Sequence, residues 1–202
     1  VLNIGGVANV TWISPDGGLV AFDTGPGNAL IDDWVRDREG QAMDKDGKLA
    51  HAGTVNEDAL TSLLDNPYFM QPFPKSLDRD TFDPGPVASL SAADGSATLT
   101  AFTAASVEQA AHMLPAPPIR WLVCGGGRHN PALMAALRSR LTTAPVEPVE
   151  MAGWHGDALE AQAFGFLAAR ALKGLPLSLP STTGVGKPTT GGVVHRPASK
   201  AE

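Results

Sequence analysis

Residues 1–28 read VLNIGGVANVTWISPDGGLVAFDTGPGN, and this stretch decides the fold. The run Val7–Ile13 is rich in β-branched and aromatic residues, and the apolar run 19–22 follows it across a loop that contains two glycines. This pattern predicts a β-hairpin. Residues 23–28 then break the strand pattern, and apolar residues recur at helical spacing from residue 29. The stretch therefore predicts a strand, a tight loop and a helix in succession.

A second succession of strand, glycine loop and helix is predicted further along the chain. The apolar run 119–124 predicts a buried strand, and it leads directly into the glycines 125–127. The next helix is predicted at 131–141, because Asn130 suits its N-cap and Pro131 suits its first position.

Prolines, caps and spacing place the other elements. Residues 38–53 predict a long loop, either a cover for a ligand or a plain surface connection, and residues 83–96 predict a connection of small residues. Residues 191–194 are a candidate edge strand. The remaining predicted helices lie at 55–64, with Asn56 as N-cap, at 100–114 and at 157–172, and a short strand is predicted at 144–151.

Composition and charge argue against several classes of protein. The 202 residues carry 15 Lys and Arg against 21 Asp and Glu, a net charge of −6, and the basic residues form no stripe that would attract a nucleic acid. The single cysteine excludes an internal disulfide framework, and no Cys and His cluster has zinc spacing. No apolar run approaches the ~18 residues of a membrane span. We expect a cytoplasmic protein that binds neither nucleic acid nor membrane. We also expect a truncated chain, because its first residues resemble the middle of a strand.

The two glycine loops are candidate phosphate sites. Each loop precedes a helix, so it can present main-chain N–H groups beside the positive end of a helix dipole. Gly5 and Gly6 fit a tight turn whose amides approach a phosphate, since a Cβ would block that approach. The alternative is that the paired glycines serve only the turn. Neither loop matches the Walker or the dinucleotide fingerprint, which argues against those two nucleotide folds.

Asp23 is the most informative acid, because it follows a strand and belongs to no helix face. That position suits a general base in phosphoryl transfer, although an aspartate there can also simply bond the amides of its turn. Glu160 presents a similar choice, since the helix dipole favours acids in a first turn without any ligand. Cys124 is expected to be a small buried apolar residue, and His129 and His155 to be surface residues without a partner.

Five motifs together resemble the anhydro-N-acetylmuramic acid kinase family of the sugar-kinase, Hsp70 and actin superfamily. The combination is specific, whereas each glycine motif alone is weak. The motifs keep the family's order over nearly the whole chain, at residues 2–9, 22–28, 66–69 with 74–76, 124–127 with 130–131, and 159–164 running to 175–176 and 183–184.

The resemblance implies an α/β fold, a ribonuclease-H-like actin and sugar-kinase lobe with a mixed sheet and flanking helices. It implies ATP and Mg²⁺ in a cleft between two lobes. In the implied reaction water opens 1,6-anhydro-N-acetylmuramic acid while the 6-oxygen is phosphorylated, which gives N-acetylmuramic acid 6-phosphate in cell-wall recycling. Residues 1–184 would form the kinase lobe and residues 185–202 a weakly ordered tail or edge strand. The resemblance also allows a homodimer.

The resemblance carries site residues over by position. Asp23 matches the family's catalytic aspartate, the base that activates water, and no residue is implied as a metal ligand. The implied phosphate and ATP positions are Asn3, Gly5, Gly6, Asn9, Gly125, Gly126, Gly127 and Asn130. The implied substrate positions are Thr24, Gly25, Gly27, Asn28 and Glu160.

The chain departs from the family at its start and in its tail. No segment resembles the first phosphate loop, a Gly-Thr-Ser-x-Asp-Gly-like sequence in the family's N-terminal lobe. We therefore expect the C-terminal part of a family member, with the N-terminal lobe absent and catalysis by this piece impaired. Residues 189–192 are also more polar than the strand expected there. Two other functions stay open, namely another small-sugar or metabolite kinase of the superfamily and a non-enzymatic nucleotide or sugar-binding module.

Overall fold

Five strands form one mixed sheet in the computed structural model, which describes residues 1–195. The strands are β1 (Leu2–Ile4), β2 (Val7–Ile13), β3 (Leu19–Pro26), β4 (Trp121–Cys124) and β5 (Val146–Pro148), in the sheet order β3-β2-β1-β4-β5. The first three strands form an antiparallel meander, while β4 runs parallel to β1 and β5 parallel to β4. Consequently β1, β3, β4 and β5 point the same way, and their carboxyl ends share one edge of the sheet.

The predicted hairpin is confirmed, but its second strand is longer than expected. The loop between β2 and β3 is closed by the Ser14 N–H, which donates to the Gly18 carbonyl at 2.8 Å. Pairing with β2 continues as far as Pro26, with an irregularity between Ala8 and Asn9. The expectation that the strand breaks at residue 23 is therefore wrong, because β2 offers main-chain partners beyond the apolar run. Asp23 lies within β3 and not after it.

The helices flank this sheet, and those predicted near residues 29, 55–64, 131–141 and 157–172 are confirmed. Asn56 and Asn130 cap their helices as predicted. The helices of the described residues are α1 (Ala29–Glu39), α2 (Lys48–Ala52), α3 (Glu57–Leu64), α4 (Ala92–Ala111), α5 (Pro131–Arg140), α6 (Leu159–Leu172) and α7 (Pro180–Thr183).

The segment 38–53, expected to be a long loop, contains the short helix α2. Asp44 explains the difference. Its buried carboxylate accepts hydrogen bonds from the main-chain N–H groups of Leu49 and Ala50 at 2.8 and 2.9 Å. The Ser96 hydroxyl of α4 also donates to this carboxylate at 3.2 Å, so α2 is held by a residue far away in the sequence.

The start of α4 also differs from expectation, since this helix begins inside the predicted connection 83–96. The Ser91 side chain caps it by accepting a hydrogen bond from the Asp94 N–H at 3.0 Å. A glycine in the first turns lowers helix propensity, but Gly95 is needed here because a Cβ would lie 2.2 Å from the Trp34 ring. Packing against the tryptophan of α1 therefore overrides local propensity.

Helix α4 occupies the centre of the molecule between two apolar clusters. One cluster joins α4 and α5 to one face of the sheet through residues such as Leu2, Ile4 and Val10. The other joins α4 to α1 and α3 around stacked and edge-on aromatic rings, including Phe69, Phe82 and Phe102. The helix-covered face of the sheet is thus the core face.

The C-terminal elements pack less closely. Helix α6 has no buried residue, and Phe164 and Phe166 are 65% and 61% exposed. The strand predicted at 144–151 shortens to β5 because residues Val149–Ala152 turn into a 3-10 helix. The expectation of an edge strand at 191–194 is wrong, because the tail pairs earlier, through a single bridge between Ser178 and Thr189. Residues 196–202 of the predicted tail lie outside the described residues.

Across the described residues, no helix combines the length and the apolar character that crossing a membrane requires.

Candidate functional site

Two loops are joined by hydrogen bonds at the edge where β1 and β3 end. The N–H of Gly27 donates to the Gly6 carbonyl at 2.9 Å, and the N–H of Asn28 donates to the Gly5 carbonyl at 2.7 Å. The Asn28 side chain extends this contact, since its Nδ2 donates to the Ile4 carbonyl at 3.4 Å. The turn after β1 and the loop after β3 therefore form one unit.

The glycine loop after β4 packs against the same unit. A Cβ at Gly125, where φ is +76°, would lie 2.5 Å from the Ile4 carbonyl oxygen, and a Cβ at Gly127 would lie 2.5 Å from the Ile4 side chain. Only glycine allows this approach of the loop to β1. By contrast, Gly6 and Gly126 are exposed, and a Cβ there would meet its nearest neighbour only at 3.6 and 3.7 Å.

The end of β3 and the loop after it are packed from the core side, in part by helix α4. The Thr103 hydroxyl donates to the Gly27 carbonyl at 3.0 Å, and a Cβ at Gly25 would lie 2.5 Å from the Ser106 hydroxyl oxygen. Thr24 is buried, and its hydroxyl donates to the Ala8 carbonyl at 3.2 Å. The structure thus gives Thr24 and Gly25 packing contacts, and their contact with a substrate stays a prediction.

A row of polar residues crosses the sheet beside these loops. Asp23 of β3 lies opposite Asn9 of β2, Asn9 lies opposite Asn3 of β1, and Asn3 lies beside Cys124 of β4. Side chains alternate along a strand, and their neighbours Leu2, Ile4, Val10 and Phe22 face the core, so the row projects from the opposite face. The Cys124 thiol donates to the Asn3 amide oxygen at 3.6 Å. Residues from four strands, at positions 3, 9, 23 and 124, are thereby brought together.

Asp23 is the acid of this row, and its carboxyl group is half-buried. Its Oδ2 accepts a hydrogen bond from the main-chain N–H of Leu77 at 2.7 Å. Burial raises the pKa of Asp23 above its ordinary value, and the hydrogen bond from Leu77 opposes part of that rise. A carboxylate with a raised pKa beside an anion-receptive edge can act as a general base.

One family of known proteins matches nearly the whole chain. The family model described as anhydro-N-acetylmuramic acid kinase matches residues 1–197. The chain belongs to this family. The anhydro-N-acetylmuramic acid kinase of Rhodospirillum rubrum is 63% identical over 193 residues, covering 95% of this chain and 51% of that protein. The protein of the same name from Acidiphilium cryptum is 62% identical over 205 residues, covering 100% of this chain and 56% of that protein.

The chain therefore spans about half the length of the curated relatives that it matches. A third relative, the anhydro-N-acetylmuramic acid kinase of Paramagnetospirillum magneticum, is 58% identical over 200 residues, which are 98% of this chain and 56% of that protein. Membership of the kinase family, which the motifs predicted, is confirmed. The assignment of the chain to the C-terminal part of a family member stays a prediction.

Asn130 has a defined structural role in this family member. Its Oδ1 accepts hydrogen bonds from the N–H groups of Ala132 and Leu133 at 3.0 and 3.2 Å and so caps α5. A side chain used in this way still has its amide N–H₂ group available to a ligand. Asn130 can therefore cap α5 and contact a nucleotide at the same time, and the nucleotide contact stays a prediction.

Sequence reasoning missed a buried arginine in the glycine loop. The Arg128 side chain is 3% exposed and contacts Glu150 Oε1 at 3.0 Å, Asp157 Oδ1 at 2.6 Å and the Gly125 carbonyl at 2.9 Å. These contacts join the loop after β4 to the turn after β5 and to the start of α6. A lone basic residue among glycines carries no sequence signal for such burial, because its acidic partners are more than 20 residues away.

Three further residues of the sequence analysis, Glu160, His129 and Cys124, differ in their surroundings. Glu160 is exposed in the first turn of α6, and its role in substrate binding stays a prediction. His129 was expected to lack a partner, which is wrong, because its Nε2 lies 3.2 Å from Asp157 Oδ1. Cys124 is buried as predicted, and burial raises the pKa of its thiol.

The edge presents main-chain and side-chain amide groups that can donate hydrogen bonds to an anion. Gly6 and Gly126 are exposed, and the amide side chains of Asn3, Asn9 and Asn28 lie at the same edge. Within residues 1–195, no group of three or more His, Cys, Asp and Glu side chains is placed to hold a metal.

Proposed function

We propose that this chain is part of an ATP-dependent kinase that opens 1,6-anhydro-N-acetylmuramic acid with water and phosphorylates its 6-oxygen. Family membership supports the substrate class. The observation that carries the proposal is the placement of Asp23, a half-buried carboxylate with a raised pKa, in one polar row with Asn9 and Asn3 beside the glycine loops.

The architecture supports the finer fold proposal. A three-stranded antiparallel meander continued by two parallel strands, in the order β3-β2-β1-β4-β5, suits the ribonuclease-H-like lobe that the resemblance implies. We propose that residues 1–184 form this lobe and that the following residues form its tail. Such a lobe holds its ligand at the carboxyl ends of its parallel strands, as open α/β sheets generally do.

In the proposed reaction Asp23 acts on water. Its carboxylate takes a proton from a water molecule as the water oxygen bonds to the anomeric carbon C1. The bond from C1 to O6 breaks, and O6 keeps its electron pair. O6 then bonds to the γ-phosphorus as the bond from that phosphorus to the β,γ-bridging oxygen of ATP breaks. The products are N-acetylmuramic acid 6-phosphate and ADP.

The other predicted residues bind and orient the reactants. We propose that Asn3, Gly5, Gly6 and Asn9 face the phosphates of ATP, where main-chain N–H and amide groups stabilise negative charge. Bound Mg²⁺ would supply the positive charge that these neutral groups lack. The ATP-binding set is completed by Gly125, Gly126, Gly127 and Asn130, and the substrate-binding set is Thr24, Gly25, Gly27, Asn28 and Glu160.

The test is a product assay on the protein expressed from its full natural reading frame. We expect Mg-ATP and 1,6-anhydro-N-acetylmuramic acid to give sugar 6-phosphate and ADP in equal amounts. Phosphorylation of a simple hexosamine or of acetate, with none of the anhydrosugar, would favour another kinase of the superfamily. Binding of ATP without any turnover would favour a binding module. Either of these results would contradict the proposed function.

A further inference from the structure

The segment 66–77 lies along the outer side of β3, the edge strand of the sheet. An edge strand has main-chain groups without partners in the sheet, and this segment supplies partners to Asp23. The N–H of Asp23 donates to the Lys75 carbonyl at 3.0 Å, and the N–H of Leu77 donates to Asp23 Oδ2 at 2.7 Å. Both the main chain and the carboxylate of Asp23 are therefore held from one side.

Tyr68 holds Asp23 at a third point. Its hydroxyl donates to the Asp23 main-chain carbonyl at 2.6 Å. Tyr68 is 5% exposed, and its ring packs edge-on against Phe69 and Phe82, with ring centroids 5.9 and 6.1 Å away. The aromatic cluster thus fixes the position of the Tyr68 ring, and the hydrogen bond from the Tyr68 hydroxyl holds the main chain of β3 at Asp23.

Lys75 closes the segment on itself. Its Nζ donates to the carbonyls of Tyr68 and Phe69 at 3.0 and 3.3 Å and lies 4.4 Å from the centre of the Tyr68 ring. No carboxylate of residues 1–195 lies within 4.0 Å of this ammonium group. An ammonium group that contacts carbonyls and an aromatic face, and not an acid, is suited to joining the two ends of the segment.

We propose that Tyr68 and Lys75 are positioning residues that hold the Asp23 carboxylate at its working distance, an inference that rests on the proposed function of Asp23 as base. Proton transfer to a base depends steeply on geometry, and a displacement of about 1 Å can cost roughly a hundredfold in rate. Tyr68 fixes the Asp23 main chain, and Lys75 fixes Tyr68. The Leu77 N–H then keeps Oδ2 in one orientation.

A purely structural role would have different consequences. If the segment only covers the edge of the sheet, loss of the Tyr68 hydroxyl lowers the free energy of unfolding and leaves turnover by folded enzyme unchanged. If it positions Asp23, loss of the hydroxyl lowers kcat while KM for ATP and for the sugar stays the same. It also weakens the Leu77 hydrogen bond to the carboxylate, so the acidic limb of the pH profile moves to higher pH.

The experiment compares Tyr68→Phe, Lys75→Met and Asp23→Asn with the wild type in the full natural reading frame, with rates scaled to the folded fraction. Thr98→Val is the matched control. It also removes a buried hydroxyl that donates to a main-chain carbonyl, here that of Asp94 at 2.7 Å, on a part of α4 without contact to Asp23. This hydroxyl additionally accepts from the Asn56 N–H at 3.0 Å, so the control loses at least as much stability as Tyr68→Phe is expected to lose. We expect Tyr68→Phe to lower kcat about ten- to a hundredfold at unchanged KM. Lys75→Met should lower kcat in the same direction, and Thr98→Val should leave it unchanged.

The outcomes separate this inference from the proposed function. If Tyr68→Phe and Lys75→Met keep the wild-type kcat and acidic limb while Asp23→Asn is inactive, the positioning role is wrong and the base stands. If Tyr68→Phe lowers kcat no more than Thr98→Val does, the segment is structural only, which also overturns the inference. If Asp23→Asn retains wild-type turnover, the proposed base fails, and the positioning role fails with it.

Discussion

A Cβ at Gly27 would lie 2.2 Å from the carbonyl oxygen of Gly5. The loop after β3 and the turn after β1 are therefore in direct main-chain contact, and no side chain fits between them. We predict that Gly27→Ala separates the two loops, destabilises the protein by about 1–3 kcal/mol and abolishes turnover. Thermal unfolding and the kinase assay on the same preparation measure both effects.

Gly165→Ala is the matched control for that substitution. Gly165 lies within α6, and a Cβ there would meet nothing within 4 Å. We expect this variant to gain about 0.5–1 kcal/mol, because alanine loses less backbone entropy in a helix than glycine does. Equal effects of the two substitutions would contradict the proposed contact between the loops.

The raised pKa of Asp23 predicts that the charged carboxylate, the form that the proposed base requires, destabilises the fold at neutral pH. A carboxyl group whose pKa is raised on folding stabilises the fold while protonated, and that contribution is lost as pH rises through the folded-state pKa. At neutral pH the charged, half-buried Asp23 therefore lowers stability. We predict that Asp23→Asn has a higher Tm than the wild type at pH 7, and that the difference disappears near pH 3, where both states of the wild type are protonated.

Asp94→Asn should behave in the opposite way. Hydrogen bonds from the Thr54 N–H and the Ser91 hydroxyl lower the pKa of Asp94, so its charged form stabilises the fold at neutral pH, and this contribution is lost as pH falls through the folded-state pKa. We expect Asp94→Asn to lower the Tm at pH 7. A lower Tm for Asp23→Asn as well would show that burial does not dominate at Asp23.

Asn130 allows the cap of α5 to be separated from a nucleotide contact. Asn130→Asp keeps an N-cap acceptor, so stability should change by less than about 0.5 kcal/mol, whereas Asn130→Ala should lose about 1 kcal/mol. The added carboxylate would repel a bound phosphate, so we predict a higher KM for ATP with Asn130→Asp. An unchanged KM for ATP would contradict a nucleotide contact and leave Asn130 only its role as the N-cap of α5.

Arg128 is predicted to matter for stability. Arg128→Met removes the 2.9 Å side-chain hydrogen bond to the Gly125 carbonyl, which then keeps only the 3.4 Å bond from the main-chain N–H of residue 128. It also removes the guanidinium partner of Glu150 and of Asp157, so we expect a loss of about 1–3 kcal/mol in the free energy of unfolding. Arg120→Met is the control, because the Arg120 side chain is 39% exposed against 3% for Arg128, and its ion pair with Glu147 should contribute less than about 1 kcal/mol. Denaturant unfolding of both variants checks the difference, and a similar small loss in each would contradict a structural role for Arg128.

The elements predicted correctly are those that local chemistry determines. The hairpin follows from alternating strand formers on either side of a loop containing Gly17 and Gly18, and the starts of α3 and α5 follow from Asn56 and Asn130 beside their first turns. The glycine loops could be predicted as well, because a close approach between main chains requires glycine, and glycine is read directly from the sequence.

The elements missed depend on contacts between distant residues. Helix α2 exists because Asp44 is buried against Ser96, and α4 begins early because Gly95 accommodates Trp34. The partners of Arg128 and the hold of Tyr68 on Asp23 are likewise created by folding. Periodicity and propensity describe short windows of sequence, so they contain no information on these pairs.

The central claim is that Asp23 is the base of the reaction, and Asp23→Asn in the full natural reading frame tests it most directly. The measurement is the single-turnover rate of sugar 6-phosphate formation at saturating Mg-ATP, together with the dissociation constant for ATP. We predict that the rate falls by about a hundredfold or more while the dissociation constant stays within about twofold of the wild type. A rate within about threefold of the wild type would contradict the claim.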